Sequence, residues 1–361
     1  MSRLLVVWLA FAVSTLVAAD PYREKWISVA DRLVTVTPET FAYNWGEGVQ
    51  QIGLMKVFER TRDAKYLDWM KRWTALYEGK DNRELLNILE KPWGGEHSAY
   101  CGHWSPATAI LLLHQAAPKK RYLEIAQATA EFIMKQAERS PEGGLGHWKG
   151  SHQLWVDTLY MACPLLSELG RMQGRREYVA DSASQIVVYA KHLQDGDTGL
   201  FYHMWDWETG KRTPGPWGRG NGWVMMSIAD TMEALGGKHD GLRKVLEAQM
   251  RGLEKTQDGD GLWRTVMDDV ESYPECSATS MVVYGVLKLV RLGVLPEEKA
   301  GMAMKAWKEV NERYVKEGLV TGVSTGTVPK GREYYRKLKA GTETWGTGAY
   351  LLAGSEVDRR K

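Results

Sequence analysis

Cysteine is scarce: Cys101, Cys163 and Cys276 are the only three in 361 residues, and none stands in a Cys-x-x-Cys pair or beside a run of histidines. That excludes a disulfide framework and a structural zinc site, and free buried thiols are the simpler reading. An excess of charge of one sign is also missing, because 47 basic residues face 45 acidic ones for a net +2. A protein that wraps nucleic acid needs a basic excess to neutralise phosphates, so no such partner is expected. No apolar run beyond the N-terminus competes as a membrane span, and no stretch of Pro, Ser or like charge divides the chain. Residues 20–361 therefore read as one domain. Phe is rare at 5, whereas Trp reaches 16 and Gly 37. Trp with Gly suits flat, rigid stacking surfaces beside loops where backbones approach closely. The 44% hydrophobic and 25% charged residues are proportions of a folded globular chain and exclude disorder and a coiled coil.

The N-terminus reads as a targeting segment. An apolar run from Leu4 to Val17 follows Arg3 and ends in Val17-Ala18-Ala19 before Asp20, with small residues where a signal peptidase cuts. Residues 1–19 are expected to be a signal peptide, cleaved after Ala19. The run is shorter than the roughly 20 residues that cross a bilayer, and no Cys follows it. The mature chain is expected to be exported to the periplasm or the medium, with no membrane association after cleavage.

From Pro21 onward, apolar residues recur at helical spacing in about twelve segments, with almost no period-two alternation. One set, near 22–34, 63–78, 120–137, 176–192, 239–256 and 297–315, carries many charges, as solvated outer helices do. The other set, near 46–60, 105–116, 152–173, 218–235, 276–292 and 345–356, is rich in Ala, Leu, Met and Gly and reads as buried on most sides. Each member of the second set is introduced by a short stretch of Trp, Gly or polar residues, and the loops recur about every 50 to 70 residues. Six outer–inner hairpins predict an all-α fold, an (α/α)6 toroid, rather than an open solenoid with polar capping repeats. Closure would place all six inner N-termini at one mouth. Trp45, Trp104, Trp155, Trp217, Trp223 and Trp345 are then expected there, at the positive ends of helix dipoles. Such a mouth suits an anionic, flat-faced ligand such as an acidic sugar.

Two motifs carry chemistry. Asp157 lies near the start of an inner helix that is otherwise apolar at Leu159, Met161, Ala162, Leu165 and Leu166. A buried carboxylate with poor helix propensity implies a partner or a chemical task, although an acid near a helix N-terminus is also stabilised by the dipole alone. The dipole lowers its pKa, and desolvation by Trp155 and its neighbours raises it. The second cluster joins Phe201-Tyr202-His203-Met204-Trp205-Asp206 to Trp217-Gly218-Arg219-Gly220-Asn221-Gly222-Trp223. A guanidinium at Arg219 can clamp a carboxylate in a bidentate fork, while Trp217 and Trp223 can stack on a sugar or on the arginine itself. Trp223 is equally readable as a core residue facing the next helix, and a lone histidine such as His203 is more often structural than catalytic. No pair of ligands at metal spacing appears near this mouth, so no metal or other cofactor is expected.

These motifs, with His152-Gln153-Leu154-Trp155-Val156-Asp157-Thr158-Leu159-Tyr160-Met161 as the most specific, resemble glycoside hydrolase family 105, the unsaturated rhamnogalacturonyl hydrolases. The unsaturated glucuronyl hydrolases of family 88 are cousins. The likeness runs from about Tyr43 to Glu356, with softer agreement around Asp260-Gly261-Leu262-Trp263, Glu275-Cys276-Ser277-Ala278-Thr279-Ser280-Met281 and Gly346-Thr347-Gly348-Ala349-Tyr350. The resemblance implies release of a 4,5-unsaturated uronic acid from the non-reducing end of lyase-generated, pectin-type oligosaccharides by hydration of a vinyl ether. It implies Asp157 as proton donor, His203 as a positioner of water or substrate, Trp155 and Trp223 as stacking walls, and Arg219 facing the uronate. Tyr43, Asn44, His103, His147 and Trp217 are further expected binding residues.

One departure stands out. Members of the family usually carry a second Asp at the start of the second inner helix, where this chain reads Gly102-His103-Trp104-Ser105-Pro106-Ala107. His103, Glu96 or Glu47 is then expected to substitute. A conventional inverting glycosidase on the same barrel, with Glu47 or Glu275 as second carboxylate, and a non-enzymatic binder of acidic sugars are the competing readings.

Overall fold

The computed structural model describes residues 20–92 and 98–360. The expected signal peptide and Glu96 lie outside these residues. The helices follow in the order α1 (Arg23–Thr35), α2 (Trp45–Thr61), α3 (Ala64–Glu78), α4 (Asn82–Leu89), α5 (Ser105–Ala116), α6 (Lys120–Lys135) and α7 (Val156–Gln173). They continue with α8 (Arg176–Leu193), α9 (Gly218–Ala234), α10 (Asp240–Thr256), α11 (Cys276–Arg291), α12 (Ala300–Arg313), α13 (Arg332–Arg336) and α14 (Thr344–Asp358). All twelve expected helices are present. The short α4 and α13 were not expected.

Helices α2, α5, α7, α9, α11 and α14 each pack on the next, and α14 packs back on α2, so the inner ring is closed. The sequence patterns explain which helices lie inside. In α11 every residue from Cys276 to Val290 is buried, whereas α10 buries only the stripe Leu242, Val245, Leu246, Gln249, Met250, Gly252 and Leu253. A helix that is apolar all round must be surrounded, and one with a single stripe covers it from outside. The seam between last and first inner helices depends on glycine: a Cβ at Gly348 would sit 2.5 Å from the Val49 carbonyl oxygen. The first outer helix locks the same seam, because Trp26 of α1 is buried and donates its Nε1–H to the Leu351 carbonyl at 3.0 Å. Removing a ring of this kind costs about 3–5 kcal/mol.

Three two-stranded antiparallel sheets occur among the described residues, all in loops: β1 (Gln153–Trp155) with β2 (Met204–Asp206), β3 (Val315–Lys316) with β4 (Leu319–Val320), and β5 (Val323–Ser324) with β6 (Ala340–Gly341). The first corrects the expected start of the third inner helix. Residues 153–155 are extended and pair with β2, so α7 begins only at Val156. Cys101, Cys163 and Cys276 are free and buried. Among the described residues no helix is long and apolar enough to cross a membrane.

Candidate active site

A cavity of about 240 Å³ opens at the N-terminal ends of the inner helices and is lined by Trp45, Tyr100, His147, Trp155, Asp157, Met161, Arg219, Gly326, Thr327, Val328 and Tyr334. Trp45, Asp157 and Arg219 stand in the first turns of α2, α7 and α9, so three positive dipole ends converge on it. Asp157 is the only carboxylate lining the cavity among the described residues. No group of His, Cys, Asp or Glu able to hold a metal ion occurs among those residues.

The β1–β2 ladder assembles the centre of the site. Trp155 pairs with Met204, and the Val156 amide donates to the His203 carbonyl at 3.0 Å, which holds the histidine against the start of α7. His203 is fully buried, stacked on Trp217 with ring centroids 4.0 Å apart, and its Nε2 lies 3.1 Å from Asp157 Oδ2. Oδ2 is itself buried, and the imidazole acts on it both by charge and at hydrogen-bonding distance. About a fifth of the Asp157 side chain remains exposed, toward the cavity. Burial pushes its carboxyl up, yet His203, His147 and the Arg219 guanidinium together hold it below the usual carboxylate range. Burial pushes His203 below the usual imidazole range, against the pull of Asp157. The two titrations are coupled, because His203 lowers Asp157 fully only while it is cationic.

His147 stacks on Trp155 at 4.1 Å, and its Nδ1 meets the Thr158 hydroxyl at 2.8 Å. The Trp155 indole donates to Gln153 Oε1 at 2.8 Å, fixing one wall. Arg219 is sandwiched by Trp217 and Trp345, 4.6 and 5.4 Å from the ring centroids. Its Nη1 donates to the Ser324 carbonyl at 2.9 Å and to the Ser324 hydroxyl, and Nη2 donates to the Thr325 carbonyl at 3.1 Å. Its Nε–H has no hydrogen-bond partner among the described residues.

Of the expected site residues, Asp157, His147, Trp155 and Arg219 line the cavity, and His203 stands directly behind Asp157. Trp217 and Trp223 do not. Both are fully buried, Trp217 between His203 and Arg219, and Trp223 stacked on Tyr160 at 5.3 Å. Trp223 is therefore core, as one reading allowed, because the inner helices pack too tightly to release an indole once α9 is surrounded. Trp104 is likewise fully buried, and Trp345 supports Trp45 from behind at 4.4 Å. Tyr43 packs on Trp73 and Tyr77, and Asn44 caps α2 by accepting from the Trp45 amide at 2.9 Å; neither lines the cavity. His103 is buried off the cavity beside Tyr100, and burial lowers its pKa to about 4.

Among the described residues, neither Glu47 nor Glu275 lines the cavity with Asp157. Glu47 is half-buried off the cavity, raised by burial and felt by Tyr77. Glu275 is fully buried, accepts from the Ala278 and Ser324 amides at 2.6 and 2.8 Å and from the Ser277 hydroxyl, and so caps α11. The sequence reading missed Tyr100, Met161, the 326–328 loop, Tyr334 and Tyr335. A signal existed: residues 314–343 form a long stretch without helical periodicity, and such loops are uncommon unless functional.

The profile of Glycosyl Hydrolase Family 88 matches residues 20–361. The chain is 30% identical over 351 residues to unsaturated rhamnogalacturonyl hydrolase YesR of Bacillus subtilis, covering 94% of this chain and 96% of the relative. It is 25% identical over 332 residues to an unsaturated 3S-rhamnoglycuronyl hydrolase of an Alteromonas species, covering 87% and 77% respectively. A possible member of the GH105 family from Klebsiella pneumoniae superposes with a TM-score of 0.84 at 25% identity, covering 99% of this chain and 100% of that one.

Proposed function

The chain belongs to Glycosyl Hydrolase Family 88 and is a glycosidase of the unsaturated uronyl hydrolase type, and from that premise we propose that it removes a 4,5-unsaturated uronic acid from the non-reducing end of lyase-generated oligosaccharides of the rhamnogalacturonan type. The observation that carries the reading is Asp157, the single carboxylate lining the cavity among the described residues, with a guanidinium and two imidazoles acting on it. A conventional glycosidase needs two carboxyl groups flanking the bond. Hydration of a vinyl ether needs one.

In this reading the Asp157 carboxyl gives its proton to carbon 4 of the unsaturated ring, and the positive charge develops as an oxocarbenium ion at carbon 5. Water adds there and returns a proton to the Asp157 carboxylate. The hemiketal opens to a ketone, and the hemiacetal left at carbon 1 sheds the aglycone sugar. Arg219, which lines the cavity beside Asp157, supplies the positive charge that meets the uronate. Trp155 and Trp45 offer the flat walls. The first step needs a protonated Asp157, and the bound uronate supplies what a second acid would: like charges in a dry site repel, so substrate binding raises the Asp157 pKa. The relatives' names, an unsaturated rhamnogalacturonyl hydrolase and an unsaturated 3S-rhamnoglycuronyl hydrolase, support the class of uronide.

Export belongs to the same proposal. The apolar run from Leu4 to Val17, followed by Ala18-Ala19, supports a cleaved signal peptide.

The test follows loss of the double bond's ultraviolet absorbance on a panel of lyase-made oligosaccharides. Wild type is expected to consume unsaturated rhamnogalacturonan fragments and to leave untreated pectin alone. Asp157→Asn is expected to lose turnover by at least about a thousandfold while still binding substrate. Turnover near wild type in that variant, or equal activity on saturated chains, overturns the reading.

A further inference from the structure

We infer that Tyr335 is a positioning residue: it sets which nitrogen of His203 carries the proton, and thereby which oxygen of Asp157 holds the proton meant for the substrate. The inference rests on Asp157 being the proton donor.

Tyr335 lies on α13, 132 residues from His203, and is fully buried. Its hydroxyl is 2.9 Å from His203 Nδ1 and accepts the Lys330 amide N–H, also at 2.9 Å. A phenol has one hydrogen. With the Lys330 amide and the Thr213 hydroxyl both donating toward its oxygen, that hydrogen is left for His203, and burial drives the phenol pKa up so that it stays protonated. Nδ1 then accepts, and a neutral His203 must carry its proton on Nε2, the atom 3.1 Å from Asp157 Oδ2. The groups facing His203 agree with this polarity: Asp157 from α7, Arg219 from α9 and Tyr335 from α13, with the rings of Trp155 and Trp217 on the remaining sides. Burial keeps the imidazole neutral to lower pH than usual.

The consequence concerns Asp157. An Nε2–H beside Oδ2 cannot tolerate a second proton on that oxygen, so the carboxyl proton is placed on Oδ1, which is left toward the cavity. The opposite tautomer would present a bare Nε2 lone pair to Oδ2. The acid proton would then sit between the two buried atoms, aimed away from the substrate. Lys330 follows directly on the loop containing Gly326, Thr327 and Val328, which lines the cavity, so the same hydroxyl ties that wall to the donor.

Tyr335→Phe keeps the ring against Trp217 and removes only the hydroxyl. With unsaturated rhamnogalacturonan disaccharide as substrate, kcat is expected to fall roughly tenfold and KM to change less than about twofold. Nitrogen NMR of histidine-labelled protein, with the His203 signal assigned by its loss in His203→Gln, gives a second readout. Wild type is expected to show an Nε2–H tautomer, and the Phe variant a mixture or the Nδ1–H form. A merely structural role would lower Tm without moving the tautomer. An Nδ1–H tautomer in wild type overturns the inference without any variant, and so does a folded Tyr335→Phe protein with unchanged kcat and tautomer. Full activity in Asp157→Asn would instead remove the donor assignment, an outcome separable from the tautomer result.

Discussion

Arg219 Nη1 donates to the Ser324 carbonyl at 2.9 Å, while the Ser324 amide donates to Glu275 Oε1 at 2.8 Å. Ser324 thus links a guanidinium in the cavity wall to the carboxylate that caps α11. The arginine does two jobs: part of its fork holds the loop before α13, and its Nε–H is left over. A lysine has neither the planar fork nor enough fixed donors for both.

Arg219→Lys is therefore expected to be destabilised by about 2–3 kcal/mol, the loss of buried, charge-assisted hydrogen bonds to Ser324 and Thr325. Its kcat/KM is expected to fall roughly tenfold to a hundredfold. Urea unfolding reads the first effect. For the second, substrate as the free acid is compared with its methyl ester: the variant should discriminate between them less than wild type, and unchanged discrimination would remove Arg219 from uronate recognition.

Glu47→Gln tests the one-carboxylate chemistry. Because Glu47 does not line the cavity, its kcat is expected to stay within about threefold of wild type, set against the thousandfold loss at Asp157. A collapse of turnover in a folded Glu47→Gln protein would restore the two-carboxylate mechanism.

His103 links pH to stability. Burial, with Lys91 adding to it, lowers its folded pKa to about 4, whereas an unfolded histidine titrates near 6.5. Between those values the unfolded chain binds the extra proton, so stability contributed by neutral His103 is complete above about pH 6.5 and is lost as pH falls toward 4. Between pH 7 and 4.5 the loss amounts to roughly 2–3 kcal/mol. His103→Gln should lack this component, making its stability curve flatter than wild type over that interval; parallel curves would count against the buried neutral state.

Gly348→Ala probes ring closure. The new Cβ would meet the Val49 carbonyl oxygen at 2.5 Å and the Gln50 amide nitrogen at 2.6 Å. Backbone atoms cannot swing aside, so α2 and α14 must separate, at a cost of about 1–3 kcal/mol. Thermal unfolding should show a lower Tm; no change would mean that the seam is looser than its glycines imply.

The sequence alone determined the alternation of one-faced and all-apolar helices, and hence the barrel. Periodicity is a local property, written within each segment of fifteen or so residues, and six repeats of it left closure as the economical arrangement. It also singled out Asp157, because an acid on an apolar inner helix is costly wherever the helix finally packs. Tertiary structure decided what each aromatic at a helix start does. Trp45 and Trp155 face the cavity, but Trp217, Trp223 and Trp104 sink behind it, since their direction depends on neighbours contributed by other repeats. The partnership of His203 with Tyr335 was equally out of reach. It joins β2's edge to a five-residue helix across 132 positions, and a helix that short carries too few residues for any period to announce it.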